Sequence, residues 1–237
     1  MKTVLLTALL VLAGIAAPAI RATAAEPWQD ALAAMPLATN TTLLSRTNTV
    51  GIMLGSFQSN SVIKGLILMP GATDELYFFR RVNVPFAVAH PTLLDCLTAL
   101  TNQTHILATV VPPFLVLHST EDFLDGFATV KSPRAEARLK GLTVKGHLCF
   151  NDRDWDNLQP VLSENVRANV LPGVCLTDSW HFYRHTFTAW NLTQWELLEA
   201  TAMAGKTQFE LTSWTATFTG DRRHGAVPSP ETIKMAE

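Results

Sequence analysis

Two distant stretches of the chain repeat one order of apolar and polar positions. The first, Met69–Arg81, reads MPGATDELYFFRR, and the second, Leu171–His185, reads LPGVCLTDSWHFYRH. Each places a Pro-Gly turn and a Thr-Asp pair before an alternating aromatic run that ends in basic residues, a pattern that predicts a strand. Apolar residues at helical spacing follow in Leu93–Thr104 and Leu197–Thr207, and β-prone runs come next. The pattern favours two duplicated strand–helix–strand units over a chance likeness between common arrangements.

The fold class predicted from these units is α+β, with mixed or antiparallel sheets and helices packed on one face of them. The rest of the chain is divided around the two units. We predict a signal peptide at 1–24, an N-terminal helix and linker at 25–50, the first unit at 51–120, a linker at 121–141, the second unit at 142–220 and a flexible tail at 221–237.

Local patterns predict further elements outside the repeated helices. Short apolar runs indicate strands at Gly51–Phe57 and Val62–Pro70. The tandem prolines Pro112-Pro113 are expected to separate two strands, because proline cannot donate to a sheet ladder. The elements predicted beyond these are strands at Ile106–Val111, Phe114–His118 and Leu142–Phe150, and helices at Glu26–Pro36, Pro133–Lys140 and Asp154–Asn165.

The N-terminus has the pattern of a secretory signal peptide. Lys2 precedes an apolar run, and Ala22-Thr23-Ala24 is a small-residue cleavage pattern. A membrane anchor is the less favoured alternative, because the run is short and is interrupted by Gly14 and Pro18. We therefore expect an exported protein, periplasmic or secreted, with no membrane span after removal of the signal.

Composition excludes several classes of partner. The formal net charge is −2, so neither a nucleic-acid binder nor a polybasic membrane-surface protein is indicated. The hydrophobic fraction, 48%, is sufficient for a substantial core.

The three cysteines do not form a disulfide framework, because their number is odd. Cys149 and Cys175 fall on predicted neighbouring strands and are the candidate disulfide pair. Cys96 lies in a predicted helix among apolar residues and is expected to be buried.

Common catalytic signatures are missing from the sequence. It contains no G-x-S-x-G, P-loop, G-x-G-x-x-G after a strand, or H-E-x-x-H. His181 and His185 are four residues apart, but on a strand this spacing separates them by about 13 Å, too far to share one ion. No cofactor and no metal site are predicted, and the sequence favours a protein without catalysis while leaving the question undecided.

Basic and aromatic residues at the ends of the two aromatic strands are the candidate binding residues. They are positioned to contact anions or carboxylates of a partner. The alternative is that the arginines pair with carboxylates of their own unit, such as Asp95 or Glu199. The candidate binding residues are Arg80, Arg81, His181, Tyr183, Arg184 and His185.

A second group of candidate residues has the side-chain types that a hydrolase active site needs. His118, Ser119 and Asp122 supply base, nucleophile and acid types close together in sequence, although a turn capped by Ser119 explains the same pattern. The alternative hypothesis is an exported hydrolase whose site is assembled from dispersed His, Asp and Glu residues, with His118, Asp122, His181 and His185 as the candidates. A small-ligand or metal binder using His181 and Tyr183 is a third possibility.

The segment Arg80–Ser119 resembles the short α/β modules at the N-termini of secretins and TonB-dependent receptors. The likeness is carried by a strand, a helix with Leu93, Leu97, Leu100 and Thr104, and a following hairpin. It covers the segment and, more loosely, its second copy, while the long Pro-containing link after Asn83 departs from it. The resemblance implies a periplasmic interaction module without catalysis. The leading hypothesis is therefore an exported, non-catalytic α/β protein that binds a protein or another cell-envelope component.

Overall fold

The fold is described from a computed structural model of the chain. It describes residues 27–37, 43–44, 48–74, 76, 84–85, 90–120, 122–153, 157–158, 160, 162, 164, 175–176, 184–213, 215–220 and 231–234.

The helices are α1 (Pro27–Ala33), α2 (Thr49–Ser56), α3 (Pro70–Asp74), α4 (Leu93–Gln103), α5 (Pro133–Lys140) and α6 (Gln194–Ala204). The strands are β1 (Leu43–Leu44), β2 (Gly65–Leu68), β3 (Val84–Pro85), β4 (Leu107–Val111), β5 (Phe114–His118), β6 (Ala128–Val130), β7 (His147–Arg153), β8 (Cys175–Leu176), β9 (His185–Trp190), β10 (Thr207–Leu211), β11 (Thr215–Gly220) and β12 (Glu231–Lys234).

A five-stranded mixed sheet with the order β4-β5-β2-β9-β7 forms the centre of the fold. β2 and β5 are parallel neighbours, and the other pairs are antiparallel. β9 comes from the second predicted unit and pairs directly with β2 of the first, for example Leu68 with Thr186. The two predicted units therefore share one sheet.

Both faces of the inner strands β5, β2 and β9 are buried because alternate side chains enter two different cores. Leu66 and Leu115 point into a core built with α1, α2 and α4. Ile67 and Phe114 point into a second core that contains α6 and the second sheet. The prediction of an α+β fold with mixed sheets is confirmed, but helices lie on both faces of the central sheet and not on one.

The second sheet has the order β6-β10-β11-β12-β8, with β6 parallel to β10. α6 packs between it and the central sheet, which explains why residues all around this helix are buried, from Gln194 to Ala204. β1 and β3 form a separate antiparallel pair.

Three segments differ from their sequence predictions. Gly51–Phe57, predicted as a strand, lies mostly in α2; Val50, Met53 and Leu54 are buried at helical spacing while Gly51 and Gly55 face outwards. The predicted linker at 121–141 contributes β6 in addition to α5, and the predicted flexible tail contributes β12, which pairs with β11.

Other local predictions are confirmed. α5 has the predicted bounds, with Ser132 accepting from the amide of Ala135 as N-cap and proline in the first turn. β4 and β5 form an antiparallel hairpin on either side of Pro112-Pro113. β2 lies inside the predicted strand Val62–Pro70.

The helix–hairpin part of the predicted repeat is present in both halves. α4 and α6 each begin with a capping box and lead into an antiparallel hairpin, β4–β5 and β10–β11. The two hairpins belong to different sheets. In the first hairpin the second strand, β5, pairs in parallel with β2, whereas in the second hairpin the first strand, β10, pairs in parallel with β6. The duplication remains a prediction, and both aromatic runs fall largely outside the described residues.

Candidate functional site

A cleft of about 260 Å³ lies between α6, the loop before β6 and the turn that joins β4 to β5. Its floor is apolar because Phe114, Phe127 and Met203 are buried there. The complete lining is Val111, Pro112, Phe114, Leu124, Asp125, Gly126, Phe127, Ala128, Glu199 and Met203. An apolar concavity with a few polar groups in its wall is the usual form of a small-molecule site.

Glu199 is the half-buried polar group of this wall. Burial raises the pKa of its carboxyl, and the neighbouring carboxylates of Glu196 and Glu136 raise it further. A hydrogen bond from Trp195 and the ammonium of Lys140 act in the opposite direction but are outweighed. A carboxyl with a perturbed pKa inside a cleft is a candidate functional group.

Lys140, whose charge lowers the pKa of Glu199, also contacts Glu136 and Trp195. The Nζ atom of Lys140 lies 2.6 Å from Oε1 of Glu136 and 5.1 Å from the centre of the Trp195 ring. Asp125 and Glu199 are the charged residues that line the cleft, and both are acidic. The electrostatic character of the described lining therefore favours cations.

A second polar cluster lies at the carboxyl ends of β2 and β5. The carboxylate of Asp122 accepts hydrogen bonds on Oδ2 from the amide of Ser119 at 2.8 Å and from its hydroxyl at 3.0 Å. Its other oxygen lies 2.7 Å from Nζ of Lys206. The Asp122 side chain is fully buried, and 16% of the Lys206 side chain is exposed, so water screens this ion pair little.

Gly71 and Asp74 of α3 complete this cluster. A Cβ on Gly71 would come 2.6 Å from Oγ of Ser119, so the backbone of α3 covers the hydroxyl. Burial raises the pKa of Asp74, the charge of Asp122 raises it further, and Lys206 lowers it.

His118 does not act on Ser119 as a base would. Its Nδ1 lies 2.8 Å from the carbonyl oxygen of Ser119, which can only accept, and its Nε2 lies 2.9 Å from Oγ1 of Thr109. The Ser119 hydroxyl is bonded to Asp122 instead. These contacts form a capped turn and not the nucleophile–base–acid chain that a hydrolase of the serine type requires.

The predicted binding residues are placed in different environments. Nη1 of Arg184 lies 2.7 Å from Oδ2 of Asp152 on β7, so the arginine has a surface partner other than the predicted Asp95 or Glu199. His185 is 3% exposed and packs beneath Gly205, which corrects its prediction as a surface contact. The remaining four, Arg80, Arg81, His181 and Tyr183, lie outside the described residues, as does the predicted signal peptide.

The predicted disulfide between Cys149 and Cys175 is not formed in the structure. Cys149 is a free, exposed thiol on β7, and Cys175 belongs to β8 of the other sheet. Cys96 is buried in α4, as predicted, and burial together with the charge of Asp95 raises the pKa of its thiol to about 12.

Within the described part of the chain, no group of three or more His, Cys, Asp or Glu residues has the arrangement of a metal site. No described helix is both long enough and apolar enough to cross a bilayer.

Comparisons with protein-family models, with curated proteins and with solved structures find no match to this chain. The resemblance to secretin and TonB-receptor modules therefore stays a prediction.

Sequence reasoning missed the roles of Glu199 and Lys206. Glu199 is the acid within LLEATAMAG, a small-residue apolar segment, and an acid in such surroundings is the signal that was available. Lys206 follows α6 and has no sequence feature that identifies Asp122 as its partner. Only the packing of α6 beside the loop after β5 brings the two together.

Proposed function

We propose that the protein is a non-catalytic binding protein whose cleft holds a small, mainly apolar molecule with a protonated amine. The single observation that carries this proposal is the half-buried carboxyl of Glu199 in a cleft of about 260 Å³ whose lining combines buried apolar side chains with polar groups. It differs from the leading sequence hypothesis, a binder of a protein or another cell-envelope component, and is closer to the third possibility, a small-ligand binder, although at Glu199 and not at His181 and Tyr183. A cleft of this volume fits a small molecule and not a folded surface.

Apolar surface in the cleft supports binding of the body of the ligand. The aromatic rings of Phe114 and Phe127 and the thioether of Met203 lie at the floor, where an apolar group would leave water. Such burial contributes about 25 cal/mol for each Å² removed from water.

The charges around Glu199 support an amine as the polar group. Burial is the main cause that raises the pKa of Glu199, and the charges of Glu196 and Glu136 raise it further, so its carboxylate form gains from a cation placed beside it. A carboxylate ligand would add a further negative charge to Asp125 and Glu199 and is disfavoured.

Three probes of one shape test the proposal: phenethylamine, phenethyl alcohol and phenylacetate, titrated by calorimetry near pH 7.5. We expect the amine to bind best, by about tenfold or more over the alcohol, which corresponds to roughly 1.4 kcal/mol. In Glu199→Gln the preference for the amine is expected to disappear while the alcohol still binds.

Glu210→Gln is the matched control because Glu210 is a half-exposed acid paired with Lys131 and is not part of the cleft lining. It is expected to bind all three probes as the wild type does. Equal affinities for amine and alcohol in the wild type, or an amine preference that survives Glu199→Gln, would exclude this function for the cleft.

A further inference from the structure

An ion pair joins two walls of the cleft at one end. Asp122 directly precedes the loop wall 123–126, of which Leu124, Asp125 and Gly126 line the cleft, and Lys206 lies three residues after Met203 of the α6 wall. The carboxylate and ammonium are 2.7 Å apart, with a fully buried acid. A buried pair of this kind is costly to break because the remaining charge loses its partner.

The backbone of Lys206 adopts a left-handed conformation at the end of α6. Its φ is +51°, in the left-handed region that residues with a Cβ rarely adopt. The position immediately follows Gly205, the C-cap of α6, and the amide of Lys206 donates to the carbonyl of Met203. A left-handed residue directly after the C-cap is a common helix ending, and here that residue is a lysine whose side chain reaches Asp122.

The loop wall is anchored at both ends. At its far end the carbonyl of Phe127 accepts from the amide of Phe209, and β6 pairs with β10. At its near end Asp122 accepts a hydrogen bond from the amide of Ser119 and forms an ion pair with Lys206. Gly126, with φ +71° and open space around it, lies between these anchors and lines the cleft.

We propose that Asp122 and Lys206 are positioning residues of the binding cleft, and that their ion pair keeps the loop wall 123–126 closed against the end of α6. This inference rests on the proposed function because it assigns control of the same cleft. Loss of the pair is expected to widen the cleft and to speed ligand release.

The first experiment follows amide hydrogen exchange in the full chain without ligand. Lys206→Met is compared with Lys64→Met, which breaks the Lys64–Glu196 pair at the other end of α6. We expect exchange in 123–126 to become about tenfold faster in the first variant and to stay unchanged in the second. Equal exchange of this loop in both variants would overturn the proposal.

Two further variants separate the ion pair from general stability. Lys206→Asn removes the ammonium but suits the left-handed backbone, so it keeps the test available if Lys206→Met fails to fold. Lys206→Arg retains a cation and is expected to restore slow exchange. If Lys206→Asn leaves the loop as protected as in the wild type, the pair does not position it.

The second experiment measures release of phenethylamine and of phenethyl alcohol by stopped flow. Lys206→Asn is expected to release both probes about tenfold faster, while Glu199→Gln changes the amine alone. Suppose that wild type binds the amine and the alcohol equally while Lys206→Asn still releases the alcohol faster. That result would reject the amine as the ligand's polar group and retain the positioning role of the ion pair. Unchanged release of both probes would reject the positioning role by itself.

Discussion

The backbone of Gly205 lies directly against the imidazole of His185, with no room for a side chain between them. His185 is buried at the start of β9, and Gly205 ends α6, so this contact sets the distance between the helix and the central sheet. The φ of Gly205 is −96°, which other residues also adopt, and therefore close packing and not backbone conformation requires glycine.

Gly205→Ala is expected to destabilise the protein by about 1–3 kcal/mol, because the added methyl must displace a buried ring. Urea denaturation measures the change. Gly51→Ala is the control: position 51 is an exposed helical site with open space around it, where alanine should add roughly 0.5–1 kcal/mol of stability. A Gly205→Ala variant as stable as wild type would show that the helix can move away from His185.

The pH dependence of stability should report Glu199. Because the pKa of Glu199 is raised in the folded state, this residue contributes to the free energy of unfolding at low pH. The contribution is complete below the ordinary pKa of 4.5 and is lost as pH rises through the raised pKa. Glu199→Gln lacks this loss. Relative to wild type, the variant should gain stability as pH increases from about 4 to about 7.5 in urea titrations. A constant difference across this range would contradict the assigned pKa direction.

His147 should show the opposite dependence. It stacks on Trp190 with ring centres 4.1 Å apart, Nε2 lies 2.7 Å from Oγ1 of Thr188, and burial lowers its pKa. The contribution of His147 to the free energy of unfolding is therefore complete above the ordinary pKa of 6.5 and is lost as pH falls through the lowered pKa. His147→Phe keeps a stacking ring without a titrating group and should reduce the loss of stability on acidification. An NMR titration of His147 at or above its ordinary pKa would contradict this.

The two described thiols should differ in reactivity. Cys149 is exposed, whereas Cys96 is buried with a thiol pKa of about 12, so little thiolate is available there. Brief treatment of the native protein with iodoacetamide, followed by peptide mapping, should modify Cys149 and spare Cys96 until denaturant is added. Rapid modification of native Cys96 would show that α4 opens locally.

Helices and hairpins with strong local signals could be predicted from sequence. The helix predicted at Pro133–Lys140 has the bounds of α5, and Pro112-Pro113 marks the predicted break between β4 and β5. The segment at Gly51 was mistaken for a strand because a short apolar run with glycines fits either structure. Its helical state becomes evident only from burial of Val50, Met53 and Leu54 in the core.

The candidate site was hardly accessible from sequence. Asp122 was considered as a catalytic acid and Glu199 as a partner for an arginine, but neither was assigned its present contacts. Asp122 meets Lys206, which is distant in sequence, and Glu199 reaches a cleft whose other walls come from β4–β5 and the loop before β6. The local periodicity of a sequence does not predict contacts between residues that are so far apart along the chain.

By itself the sequence determined the α+β class and many of the local elements, since hydrophobic period, caps and prolines act within a few residues along the chain. Tertiary structure alone decided that β2 and β9 join the two halves in one sheet, that helices cover both of its faces, and that Lys206 reaches Asp122. These features depend on which apolar faces can be buried together, and that is a property of the whole packed chain.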